Sequence, residues 1–158
     1  MRSSRERRAT RGRGARACGL VATAGALLAA AGTALGADWV SLGGTASTQG
    51  AVDRASIAVE KKQLQAWALF RFAAPQPSPA GEYRSQRSLS YFKCADHSIA
   101  YVEHHLYASD DGSGEAVYTV TSAPGEITFA KPEAGTMGER IVTFVCTEAA
   151  KKRSKQKG

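Results

Sequence analysis

From residue 38 onward, apolar residues recur mostly at every second position, in short runs separated by clusters of Gly, Pro, Ser and Asp. A period of two belongs to a strand with one face on a core, so the pattern predicts strands rather than helices. A first strand over residues 38–42 ends at Gly43 and Gly44; a second covers 51–53, and 56–59 extends or follows it. Residues 63–72 place Leu64, Ala66, Ala68, Phe70 and Phe72 on one face and Trp67 and Leu69 on the other. Apolar groups on both faces mark a central strand. Segment 75–79, with Pro75, Pro77 and Pro79, is expected as a surface loop outside any ladder, because proline has no N–H to donate. Residues 83–94 alternate again, Tyr83, Leu89 and Tyr91 against Arg84, Gln86, Ser88 and Ser90, as in a half-buried strand. A strand over 99–108 follows, and the DDGSG run at 110–114 predicts a hairpin turn into a strand over 116–121.

After Pro124 and Gly125 comes a short segment, 127–130, then Pro132 and Gly135. The period then changes. Thr136 lies three residues before Glu139, as in a capping box, and Met137, Ile141, Phe144 and Val145 recur at helical spacing down to Cys146. The β-branched run of Ile141, Val142 and Thr143 pulls the other way, toward a strand. The expected class is α+β: an antiparallel meander of about six strands with a C-terminal helix packed on one face. A meander leaves edge strands that must be covered, charged or paired with another copy, which predicts a homodimer.

A chain of 158 residues is enough for one domain and too short for two with separate cores. Its formal charge of +7 points to nucleic acid until its distribution is considered. Residues 1–37 carry seven of the 21 basic side chains against Glu6 alone, and the last eight carry five more: Lys151, Lys152, Arg153, Lys155 and Lys157. Between them, residues 38–150 hold nine basic and thirteen acidic side chains, a net of −4. That body has no raw material for a phosphate-binding groove, and no nucleic-acid partner is expected.

The Arg-rich start followed by an Ala-, Gly- and Leu-rich run over 17–35 predicts an export signal over residues 1–37. Small residues at Ala34, Gly36 and Ala37 offer the cleavage site before Asp38, and the weak hydrophobicity favours a signal over a membrane anchor. The pair Arg7 and Arg8 leaves both the general and the twin-arginine routes open. Cys18 opens the apolar run rather than ending it, so no lipid anchor is expected, and the protein should reside in the periplasm or at the cell surface. Residues 151–158 read as a basic disordered tail whose cations attract anionic surfaces such as lipopolysaccharide, heparan sulfate or anionic lipid headgroups, less strongly as salt rises.

An exported chain keeps Cys94 and Cys146, which are expected to oxidise to a disulfide. Closing a loop of about 50 residues stabilises the fold by roughly 4 kcal/mol in the loop-entropy account. Neither Cys belongs to a CxxC pair and no His lies near Cys146 in sequence, so a metal or thiol-catalytic site lacks partners. His104 and His105 are adjacent on a strand and point to opposite faces, so they cannot both ligate one ion; His97 with Asp96 or Glu103 is a weaker combination than plain hydrogen-bonded histidines. Asp110 and Asp111 lack the ligand spacing of a Ca²⁺ loop and read as turn residues. Trp39 and Trp67 read as core aromatics rather than a ligand platform. With no nucleophile elbow and no phosphate loop, no catalytic residue, metal or cofactor is expected.

The order Trp39, Asp53-x-x-Ser56-Ile57, Trp67, Tyr83-x-Ser85, Tyr91-x-x-Cys94, Tyr107-x-Ser109 with Gly112 and Gly114, then Pro132, Glu139 and Cys146, resembles the surface-adhesin protein E-like family of Gram-negative bacteria. The resemblance covers residues 38–146, within a domain of 38–150. It implies a six-stranded antiparallel sheet whose C-terminal helix is tied by a disulfide to the sheet's concave face. It also implies a non-enzymatic adhesive function, with host vitronectin, laminin and plasminogen as partners and dimerisation as a property. A periplasmic accessory protein of the same fold, without a host ligand, is the competing expectation.

Overall fold

The computed structural model describes residues 36–155; residues 1–35 of the expected export signal, and Lys157, lie outside them. Seven antiparallel strands precede one helix: β1 (Trp39–Gly44), β2 (Thr48–Asp53), β3 (Ala58–Glu60), β4 (Gln63–Ser78), β5 (Gly81–Lys93), β6 (Ser98–Tyr107), β7 (Tyr118–Thr121) and α1 (Met137–Lys155). The sheet runs β1-β2-β4-β5-β6-β7, with β3 beside a different stretch of β4.

Strand β4 is the spine, and two short strands share one of its edges. β2 pairs with residues 68–72 and β3 with 63–65, which leaves Trp67 between them. The 3-10 turn Arg54–Ser56 fills that gap. The Asp53 carboxylate accepts from the amides of Ala55 (3.0 Å) and Asp38 (2.8 Å), and Ser56 Oγ donates to Asp53 O (2.7 Å) while accepting from Trp67 N (2.9 Å). A hydroxyl thus satisfies the one amide that the ladder would orphan. The Asp53-x-x-Ser56-Ile57 motif therefore has a mechanical reading, completed by Ile57, which turns into the core.

Pro75 and Pro77 are not in a loop; only Pro79 is, in the turn from β4 to β5. β4 and β5 continue past the sheet as a two-stranded arm, with Gln76, Pro77 and Ser78 opposite Tyr83, Glu82 and Gly81, beyond a register shift that starts at Arg71. The β2 pairing stops at Phe72 and the β6 pairing at Ser85, so each strand of the arm has an open outer edge. An absent N–H costs nothing where it faces water, which is why the expectation of a loop fails. Phe72 and Tyr83 stack edge to face across the arm, 5.6 Å between ring centroids.

On the helix face, Ile141, Val142, Val145 and Ala149 of α1 pack on Val52, Ile57, Ala66, Ala68, Phe92 and Ile99. The two central strands present small pairs there, Ala66 opposite Ser90 and Ala68 opposite Ser88, and both serines are buried. The polar side of β5 is thus not its solvent side: serine is small enough to lie beneath a helix. Gly50 has the same role on β2, where an added Cβ would clash with Met137 Sδ. The β-branched run becomes helix because burial of Ile141 and Val142 outweighs a weak propensity. At the start of α1 the Thr136 hydroxyl accepts from Glu139 N (3.4 Å), while the Glu139 carboxylate accepts from Gly135 N (2.6 Å). Cys94 and Cys146 are joined, Cα atoms 5.6 Å apart, and tie the middle of α1 to the end of β5.

The expectation of a disordered tail over residues 151–158 is corrected for 151–155, the rest lying outside the described residues. α1 continues to Lys155. Lys151 pairs with Glu148, and Lys152 Nζ reaches back to the 3-10 turn between β2 and β3, donating to the carbonyls of Arg54 (3.0 Å) and Ile57 (2.8 Å). Cations in the last turn also suit the negative end of the helix dipole. Segment 127–130 forms no strand, only a bridge between Ala130 and Ile99.

The opposite face is closed by a loop, residues 108–117, between β6 and β7. Trp39, Leu69, Arg87 and Tyr107 meet there, the Arg87 guanidinium 5.5 Å from the Trp39 ring and 5.4 Å from the Tyr107 ring. Gly112, at φ +74°, lies against Arg87 and Leu69. Ser85 Oγ donates to Ser109 O (2.7 Å), which pins the loop to β5.

Candidate binding surfaces

His104 and His105 do point to opposite faces. His104 faces the helix side beside Tyr101, its Nδ1 2.8 Å from Gln86 Nε2 and 2.9 Å from Ser88 Oγ. Burial, and then the neighbouring His105, lower its pKa, so the ring is neutral at pH 7. His105 faces the loop side, bonded to Glu103 and edge-on to Trp67 at 5.3 Å. His97 is exposed in the turn between β5 and β6 at φ +56°. Among the described residues no three His, Cys, Asp or Glu side chains are placed to hold a metal ion. Asp111 accepts from Ser113 N (2.9 Å), and its hydrogen bonds to Ser113 pull its pKa down to about 2; this is the chemistry of a tight turn. Trp39 and Trp67 are half-buried in the loop-side cluster and form no part of the helix-side core.

Two surfaces remain open. The first is the part of the helix face that α1 does not reach, at the β6–β7 end. Val120 lies opposite His104 and Tyr118 opposite Leu106, so Tyr118 and Val120 share this face with Tyr101. These three are 36%, 43% and 41% exposed, well above what large apolar side chains on a sheet face show when covered. Tyrosine rings give contact area at low entropic cost and carry a hydroxyl for a partner's polar group. β7 is also an edge strand, so its outer backbone groups are unpaired within the sheet.

The second surface is a groove of about 830 Å³ between the β3–β4 hairpin, the end of β5 and the last turns of α1. Ile57, Leu64, Phe92 and Ala149 form its apolar part and Lys62, Lys93, Lys152 and Arg153 its rim. The sequence pointed to Lys152 and Arg153 only as parts of a charged tail; Lys62 and Lys93, which the fold brings to them, carried no local signal. Of the other tail cations, Lys151 and Lys155 lie on the neighbouring side of α1, near Asp38 and Glu148. Among the described residues no helix is long and apolar enough to cross a membrane.

Two solved structures of Haemophilus influenzae protein E resemble the fold. One is 18% identical, with 65% of this chain and 80% of that chain covered and a TM-score of 0.48. The other, crystal form II, is 17% identical over 62% and 80%, with a TM-score of 0.47. No curated protein matches the chain. The model of the family described as surface-adhesin protein E matches residues 39–147, from the first residue of β1 to the residue after the helix cysteine. The chain belongs to the surface-adhesin protein E family.

Proposed function

We propose that the protein is an exported, non-enzymatic binding protein that engages a protein partner through the open patch of Tyr101, Tyr118 and Val120. The exposure of these three side chains on the face that α1 leaves free supports this reading. A host extracellular-matrix or plasma protein is the partner class that family membership favours, with vitronectin, laminin and plasminogen as the first to test. The cations Lys151, Lys152, Arg153, Lys155 and Lys157 add an electrostatic contact to anionic surfaces. A second copy pairing along the free edge of β7 gives a homodimer.

The test is binding of the oxidised full chain to immobilised vitronectin, laminin and plasminogen at low and physiological salt, with Tyr101→Ala/Val120→Asp alongside. Binding that persists at physiological salt and drops at least tenfold in the double variant supports the patch. Binding that disappears with salt alone reduces the contact to the cations. No binding to any of the three moves the assignment to a periplasmic accessory protein of the same fold. Light scattering at micromolar concentration reads the dimer, and a monomer there removes it.

A further inference from the structure

The groove beside the end of α1 carries more than general positive charge. Its lining residues include four cations and no acid, although residues 38–155 as a whole balance thirteen basic against thirteen acidic side chains. Two of the four are already engaged: Lys152 with two carbonyls, and Lys93, whose ammonium lies 4.0 Å from the centre of the Phe129 ring. Lys62 and Arg153 have no ion-pair partner among the described residues. Lys62 is also held against local preference. Glu60 pairs with Gln63, so Lys61 and Lys62 are the whole turn, at φ +48° and +68°. Such two-residue turns favour Asn-Gly, since a side chain at positive φ is strained. A strained residue that places a free cation on a groove rim is the kind of local cost found at binding sites. Below that rim the groove is apolar through Leu64, with Val59, 68% exposed, on its wall.

We propose that this groove seats an anionic lipid, its phosphate between Lys62 and Arg153 and the first part of its alkyl chain along Leu64 and Val59. An alkyl phosphate brings acceptors and an apolar chain, which matches a rim of N–H donors over an apolar floor. An acidic peptide brings amide donors as well, and among the lining side chains Gln63 alone carries an oxygen to accept them. This assignment rests on the reading of the helix-end cations as an anionic contact and narrows it to one ligand class and two principal residues.

The experiment is a titration of the ¹⁵N-labelled, oxidised full chain with decyl phosphate below its aggregation threshold, beside inorganic phosphate, neutral decyl glucoside and hexaglutamate. Decyl phosphate should shift the amides of Val59, Lys62, Leu64, Ala95 and Ala149 and bind at least tenfold more tightly than the other three. Lys62→Gly should weaken it tenfold while raising the melting temperature, because the strain goes with the cation; Arg153→Ser should weaken it at unchanged stability. Lys151→Ser/Lys155→Ser, outside the groove, should leave it within twofold. Inorganic phosphate binding as tightly would make this a plain anion site and overturn the lipid. Tighter hexaglutamate binding would assign the groove to a protein segment, and shifts confined to other residues would remove it altogether. Retention of the full chain on heparin reads the wider electrostatic contact separately: a chain not retained there, yet binding decyl phosphate as stated, would end that contact and keep the groove.

Discussion

On its helix face the sheet presents small residues on its two central strands, Ala66, Ala68, Ser88 and Ser90, and is closed by the apolar side of a helix held by a covalent bond. On its other face it presents large ones, Trp39, Trp67, Leu69 and Arg87, and is closed by the loop 108–117. The difference follows from thickness. A helix is about 10 Å across with its side chains and needs a shallow seat, whereas a single loop is thin and covers only what the strands have already filled. The Arg87 guanidinium between two rings supplies bulk that an apolar residue would otherwise provide, at the cost of a buried Nε with no partner among the described residues.

The largest test of this contrast removes the covalent bond. Cys94→Ser/Cys146→Ser should cost about 2–5 kcal/mol in urea unfolding, and a loss below about 1 kcal/mol would mean that packing alone seats the helix. Next, Ile141→Ala opens a cavity under α1 and should cost about 2–5 kcal/mol, near the low end if the sheet collapses onto it. On the loop face, Gly112→Ala sets a methyl 2.8 Å from Arg87 Nε at a positive φ and should cost about 1–2 kcal/mol. Faster proteolysis within 108–117 should accompany it, and a loss equal to that of Ile141→Ala would show the loop face to be as tightly built as the helix face.

The smaller effects sharpen the helix side. His104 holds its proton less readily folded than unfolded, so the unfolded chain takes up more protons as pH falls. Stability should therefore decline on acidification through the ordinary value of 6.5 and level off below the folded pKa; melting temperatures at pH 7.5 and 5.5 measure it, and His104→Gln should narrow the gap. Ser90→Ala removes a buried hydroxyl with no partner among the described residues and should leave stability unchanged or raise it by up to about 1 kcal/mol. A loss above that size would show that the hydroxyl is satisfied in solution.

The strand order and the terminal helix were legible because each rests on a local signal: the period of two, the DDGSG turn, and Thr136 with Glu139. What escaped depends on neighbours far away in sequence. Ser88 and Ser90 look solvent-facing until a helix covers them, and Pro75 and Pro77 look forbidden until the adjoining strands end early. Residues 151–155 look disordered until Lys152 finds two carbonyls nearly a hundred residues upstream. Of the candidate surfaces, the basic half of the groove was legible as charge, but Lys62 and Lys93 join it only through the β3–β4 hairpin and the end of β5. The patch at Tyr101, Tyr118 and Val120 depends on where α1 stops and had no sequence signature.

The arm beyond the sheet has its own consequence. Pro75 and Pro77 remove alternate amides from one strand of a ribbon whose outer edge is bare. An incoming strand would meet carbonyls there but no donors at those positions, so growth of a fibre by addition along this edge is disfavoured from the first molecule. The hairpin can therefore extend beyond the rest of the sheet with one of its two bare edges already closed to further strands.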